Sequence, residues 1–190
     1  MDTGKILTPE ESLSLIAETI SKSRDSIREN SFGFLLWGWL VSSASFASFL
    51  LQLLTNFKYH FIPFPIVGTV GIAITLVLFK RRNAENTQTY TAYFINKMWL
   101  VLGLCFILAV FINVSQGRVP FTFTLLIAGC GTLISGWVMK FRPLILGGFL
   151  LMVSAVASIY LTDEYKTLLH GIAIVPGYLI PGYLLKNAKA

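Results

Sequence analysis

The chain has 190 residues, of which 55% are hydrophobic and only 13% charged, and its mean hydropathy is +0.70. Soluble domains carry about 25% charged residues, so this composition cannot furnish a water-facing surface for a domain of this size. The net charge of +6 does not describe a nucleic-acid face either, because the basic residues sit at the ends of apolar stretches and not on one continuous side.

A helix crossing a bilayer needs about 20 apolar residues. Between consecutive Asp, Glu, Lys or Arg residues the chain has charge-free intervals at 30–57, 59–79, 98–117, 119–139, 143–162 and 167–185. Each is close to one bilayer thickness, so the expected fold is all-α, a six-transmembrane-helix bundle. A closed β-barrel would show shorter segments alternating apolar and polar, and the run from Leu100 to Ile112 has no such alternation.

In chain order, residues 1–30 form a polar N-terminal segment and residues 31–190 the membrane domain. Residues 8–30 read as an amphipathic helix, with Thr8 as N-cap, Pro9 at the first helical position and Glu11 completing a capping box. At about 100° per residue, Leu13, Ile16, Ala17, Ile20 and Ile27 share one stripe with Arg24 among them, and Glu18, Lys22, Asp25 and Glu29 lie opposite. That stripe either docks a cytosolic protein partner or lies on the inner membrane interface or the bundle. Residues 9–30 hold five acids against three bases, whereas helices that grip anionic lipid are basic. Nothing there has the basic and short apolar regions of a cleavable signal, so targeting is expected from the first span.

Cytosolic loops are enriched in Lys and Arg. Twelve basic residues (Lys5, Lys22, Arg24, Arg28, Lys80, Arg81, Arg82, Lys97, Lys140, Arg142, Lys186 and Lys189) fall on one side, and Lys58, Arg118 and Lys166 on the other. Both termini are therefore expected in the cytosol, with the lipid bilayer as the main partner. Trp37, Trp39, Trp99 and Trp137 lie toward the same basic span ends, and Tyr90, Tyr93 and Phe94 suit headgroup anchors in the Lys80–Lys97 connection. Asn113, Ser115 and Gln116 mark where the third span leaves the membrane or lines an outer vestibule.

Cys105 and Cys130 fall mid-span, where a thiol behaves as a small hydrophobe. Ala44/Ser48, Ala128/Thr132/Gly136 and Ser154/Ser158 follow the small-xxx-small spacing of close helix contacts. In the last span, Pro176-Gly-Tyr-Leu-Ile-Pro-Gly-Tyr repeats a five-residue unit whose two prolines each remove a helical hydrogen bond, and a kink or break is expected there. Gly71, Gly131 and Gly177 each stand nine residues before a lysine that ends the second, fourth and sixth spans. Three helical hairpins repeated in parallel orientation would produce that recurrence.

The span interiors hold no Asp, Glu, Lys or Arg, which argues against proton-coupled transport of the carboxylate type. His60 and His170 map to outer span ends and lack the further ligands a metal or haem needs. Ser135-Gly136 with His170 resembles the serine and histidine of rhomboid intramembrane proteases, but Leu133 stands where their nucleophile motif has Gly. Ser135 is also five residues from basic Lys140, while His170 is four from outer Lys166. No phosphate-cradling, His-Glu-x-x-His or paired-Cys motif occurs. No catalytic, cofactor-binding or metal-binding residue is nominated, no cofactor is expected, and the chain does not read as an enzyme.

The capped polar helix, Phe34-Leu-Leu-Trp-Gly-Trp-Leu and Ile180-Pro-Gly-Tyr-Leu-Leu together resemble small bacterial six-span integral membrane proteins with no assigned chemistry. The expectation is a multi-pass protein of the bacterial inner membrane, acting as a non-enzymatic scaffold or as a sensor that docks a cytosolic protein through residues 8–30. The competing expectation is a carrier or channel for a small neutral or lipophilic solute, gated at Pro176, Gly177 and Pro181. Oligomeric state is left open.

Overall fold

The computed structural model describes residues 9–55, 59–84 and 90–188, and no strand occurs among them. The helices are α1 (Pro9–Leu54), α2 (Pro63–Ala84), α3 (Tyr90–Ser115), α4 (Phe121–Val138), α5 (Arg142–Ser158), α6 (Asp163–Ile174) and α7 (Ile180–Asn187), with a π turn at Val175–Leu179 joining the last two. Every charge-free interval of the sequence holds one helical stretch. Four stretches are long and apolar enough to cross a membrane, namely Ser31–Leu54, Thr91–Ser115, Phe121–Val138 and Asp163–Asn187, while Pro63–Leu78 and Arg142–Ser158 are shorter apolar helices.

α1 has 46 residues and so extends about 69 Å at about 1.5 Å per residue. It runs unbroken through position 30, joining the polar segment to the first apolar stretch. The capping residue Thr8 and the facing of the Leu13–Ile27 stripe lie outside what is described, as do Lys58 and the centre of the Lys80–Lys97 connection.

Two turns close in the same way. After α3, Gly117 takes φ +68° while the Arg118 N–H reaches back to the Asn113 carbonyl at 2.9 Å. After α4, Lys140 takes φ 52° while the Phe141 N–H reaches the Gly136 carbonyl at 2.8 Å. A left-handed residue followed by this backward bond satisfies carbonyls that the helix end would leave orphaned. Glycine fills that position without strain in the first turn, whereas lysine in the second carries a Cβ penalty of about 1 kcal/mol.

The most extensive packing is between α4 and α5, and glycine makes it possible. A Cβ on Gly148 would stand 2.6 Å from the Leu133 nitrogen, and one on Gly136 would stand 2.7 Å from the Ile145 nitrogen. Neighbouring Gly147 serves the other side of α5, where a Cβ would meet the Gly177 carbonyl at 2.8 Å. α5 is thereby clasped between α4 and the last helical stretch. α1 covers α6 and α7 and carries α2 on its flank, while α3 packs on α4. The spatial order is thus α2, α1, α6–α7, α5, α4, α3.

The small-residue expectation holds in detail: Ala44, Ser48, Ala128, Thr132, Gly136 and Ser158 are all buried, and Ser154 is half-buried. Gly71, Gly131 and Gly177 each receive a side chain from the helix before them. A Cβ on Gly71 would stand 2.8 Å from Trp37, on Gly131 2.8 Å from Trp99 and Leu102, and on Gly177 2.6 Å from Leu151. The outward face of α3 exposes Leu104, Ile107, Leu108 and Phe111, a surface suited to hydrocarbon and not to water.

The expected kink takes the form of a π turn. Pro176 has no N–H to donate; the Val175 N–H bonds the Ile172 carbonyl, and the Ile180 N–H reaches five residues back to the Val175 carbonyl. The wider ring absorbs the first proline and the helix continues to Asn187.

Gly148→Ala should destabilise the bundle by about 1–3 kcal/mol through overpacking. Gly33→Ala, with nothing within 4 Å of its Cβ, should be neutral or stabilising by up to about 1 kcal/mol. Unfolding of the purified protein in mixed detergent micelles measures both. By the same assay Lys140→Gly should gain about 0.5–1 kcal/mol through release of the left-handed strain, and an unstrained lysine there would show no gain.

Candidate functional site

In the apolar half of α1, Ser42, Ser45 and Ser48 recur every third residue, a spacing that keeps them on one helix side. All three are buried, as are Gly171 and His170 of α6. Gly171 lets the two helices touch, since a Cβ there would stand 3.0 Å from the Ser45 Cβ, and the Ser42 hydroxyl donates to its carbonyl at 3.2 Å. The adjacent side chain, His170, projects between α1 and α4 and is only 3% exposed.

Both ring nitrogens of His170 are engaged. Nδ1 lies 2.9 Å from the Ser45 hydroxyl, and Nε2 lies 3.2 Å from the Thr124 hydroxyl of α4. Each hydroxyl also has a backbone carbonyl within reach. Ser45 Oγ is 2.8 Å from the Val41 oxygen, and Thr124 Oγ1 is 3.0 Å from that of Phe121. Phe121 lies against the imidazole at 4.9 Å between ring centroids and Phe64 of α2 at 6.3 Å. Beside this cluster the Thr122 and Ser158 hydroxyls meet at 2.7 Å, tying α4 to α5. One imidazole therefore bridges two helices that reach each other mainly across α6.

A second cluster occupies the basic end of the bundle. Phe34, Trp99 and Tyr178 form a triangle of edge-to-face rings, with centroids 5.7, 5.5 and 6.2 Å apart, the geometry that the aromatic quadrupole favours. The Trp99 indole N–H donates to the Ser135 hydroxyl at 3.1 Å. Trp39 donates to the Tyr183 hydroxyl at 3.0 Å. Each tyrosine of the tandem Pro-Gly-Tyr unit thus meets a tryptophan.

Of the residues the sequence singles out, Ser135 is committed to Trp99 and is not paired with His170. His170 is buried at a three-helix contact, because Gly171 draws α1 close and Thr124 faces it from α4. Among the described residues, the buried Nδ1 of His60 and the buried Oε1 of Gln52 have no hydrogen-bond partner. Asn113 turns back onto the Ala109 carbonyl at 2.8 Å and Ser115 onto that of Ile112 at 2.8 Å, so both are satisfied within α3. Cys105 and Cys130 are free thiols. No group of three metal-ligating side chains occurs among the described residues. Ser45 and Thr124 escaped the sequence reading; the three-residue serine spacing on a charge-free span was the available signal.

Ser45→Ala should cost about 0.5–2 kcal/mol in detergent unfolding, the range for a hydrogen bond inside a helical membrane bundle. Ser43→Ala removes an exposed hydroxyl bonded to its own turn at Leu40 and should change stability by less than about 0.5 kcal/mol.

No family model, curated protein or solved structure matches the chain.

Proposed function

We propose that this chain is a multi-pass protein of the bacterial inner membrane, crossing it six times with both termini in the cytosol, and that it acts without catalysis as a scaffold or sensor whose N-terminal helix docks a cytosolic protein. The observation that carries this reading is the continuity of α1. Residues Ser31–Leu54 are enough to cross a membrane, so Pro9–Asn30 continues beyond that stretch in the same helix. A displacement of α1 within the bundle would be transmitted along one hydrogen-bonded rod, with no hinge between the membrane and the docking segment.

The uneven split of basic residues supports the orientation. Three parallel hairpin repeats are supported by the way Gly71, Gly131 and Gly177 each accept a side chain of the preceding helix. The absence of Asp, Glu, Lys and Arg from the span interiors weighs against proton-coupled transport of the carboxylate type. For a carrier gated at the last helix, the tandem prolines would have to border a cavity. Gly177 is instead packed against Leu151, and Pro181 against Gly147, which weighs against that reading.

Affinity capture from solubilised membranes, with the full chain and with a chain lacking residues 1–30, tests the docking helix. Captured partners should fall by about tenfold or more in the truncated form, a loss of about 1.4 kcal/mol or more of binding. An unchanged partner list would refute the docking role. Labelling of single cysteines should place Lys5 and Lys186 on the cytosolic face and Gln116 on the opposite one.

A further inference from the structure

The hydroxyls around His170 have a property that an ordinary hydrogen-bonded core histidine lacks. A backbone N–H or carbonyl fixes the ring nitrogen it faces as acceptor or donor. A hydroxyl can take either role, provided its own proton has somewhere to go. Here both ring nitrogens face hydroxyls, Ser45 at 2.9 Å and Thr124 at 3.2 Å. Both hydroxyls have a carbonyl to turn to, Val41 at 2.8 Å and Phe121 at 3.0 Å.

Three protonation states are therefore fully hydrogen-bonded in one heavy-atom arrangement. With the proton on Nδ1, the ring donates to Ser45, which donates to Val41, while Thr124 donates to Nε2. With the proton on Nε2, the ring donates to Thr124, which donates to Phe121, while Ser45 donates to Nδ1. With protons on both, each nitrogen donates to its hydroxyl and each hydroxyl donates to its carbonyl. The site takes up one proton by rotating a single hydroxyl, and no covalent bond is made or broken beyond the new N–H.

Water is near. Thr124 is three residues into α4, and His170 is seven residues past Asp163 at the start of α6, about 5 and 10 Å along their helices. Lys166, one turn before His170, is paired with Asp163 at 2.8 Å, and Glu164 is exposed. Residues 31–54 of α1, 63–78 of α2, 121–138 of α4 and 143–158 of α5 contain no acid, base or histidine; His60 precedes α2. Among the described residues the imidazole is thus the one acid, base or histidine at the junction of these helices, where the spans packed there also carry the thiol of Cys130 and the phenol of Tyr178, and Ser45 places it on the helix that continues to Pro9.

We propose that His170 is a reversible proton-binding site, held between Ser45 and Thr124, and that its occupancy is the signal α1 carries to the N-terminal segment. The second half of this proposal rests on the docking function above; the first half does not.

The test uses the full chain in lipid nanodiscs, labelled with nitrogen-15 at histidine, with the His170 signals identified by their loss in His170→Gln and, separately, in a His60→Asn background. Between about pH 8 and about pH 3, a window that covers the ordinary histidine range and about three units below it, the ring should pass reversibly from a neutral to a doubly protonated spectrum. At neutral pH, Ser45→Ala should shift the ring toward the Nε2-protonated form and Thr124→Val toward the Nδ1-protonated form. A single tautomer unmoved by either substitution, with no titration in that window, would overturn the site. Partner capture through residues 1–30 that is the same at about pH 8 and at the pH where the ring is seen to be doubly protonated would overturn the signalling role while docking stands. Titration with no partner captured at any pH would uphold the proton site and remove the docking function.

Discussion

Apolar side chains gain nothing by leaving hydrocarbon for one another, so a bundle immersed in it must be held by something other than the hydrophobic effect. In this chain the answer is backbone proximity. Gly148 and Gly136 let α4 and α5 approach until an added methyl on either would press within 2.7 Å of the opposite backbone. Gly147, one residue from Gly148 and so turned to the other side of α5, repeats the arrangement against Gly177. Most of the remaining architecture follows from that glycine pair, because α5 becomes the plate on which α4 and the last helical stretch are both mounted.

Close backbone contact also decides where polar side chains can go. Hydroxyls in the interior fold back onto carbonyls of their own helices, as Thr132 does onto Ala128 at 2.8 Å and Ser158 onto Ala155 at 2.6 Å. Such groups are satisfied locally and can offer their remaining capacity across an interface. His170 uses that spare capacity on two sides. Its environment gives both ring nitrogens a hydroxyl and contains no fixed charge. The aromatic triangle at the other end works differently, through shape and quadrupole, and it seats Tyr178 just where the π turn widens the helix around Pro176.

Much of the packing was readable in advance at glycines and small residues. The recurrence of glycine nine residues before a terminal lysine marked three positions, and at each of them the preceding helix inserts a large side chain. At two of the three positions a tryptophan is inserted, and span-end placement alone suggests interfacial anchoring for both. Trp99 instead turns inward to Ser135, and Trp37 packs on Gly71. Ser135 drew attention as a nucleophile because of its neighbour Gly136, and both have packing roles: one takes an indole N–H, the other admits α5. The tandem prolines were legible as a disturbance of the helix, but not as a π turn, since that depends on which carbonyls the neighbouring N–H groups can reach.

What the amino-acid sequence determined by itself is the number and placement of the helical stretches and their apolar character. These depend on spacing along one dimension, the distance between charges set against the rise of a helix. What only the tertiary structure decided is the company of His170. Ser45 is 125 residues away along the chain and Thr124 is 46 away. They meet because Gly171 brings α1 onto α6 and because the glycine contacts of α5 fix the rotation of α4. Helix rotation is invisible in a sequence that is apolar on every side, and it decides which hydroxyl faces which nitrogen.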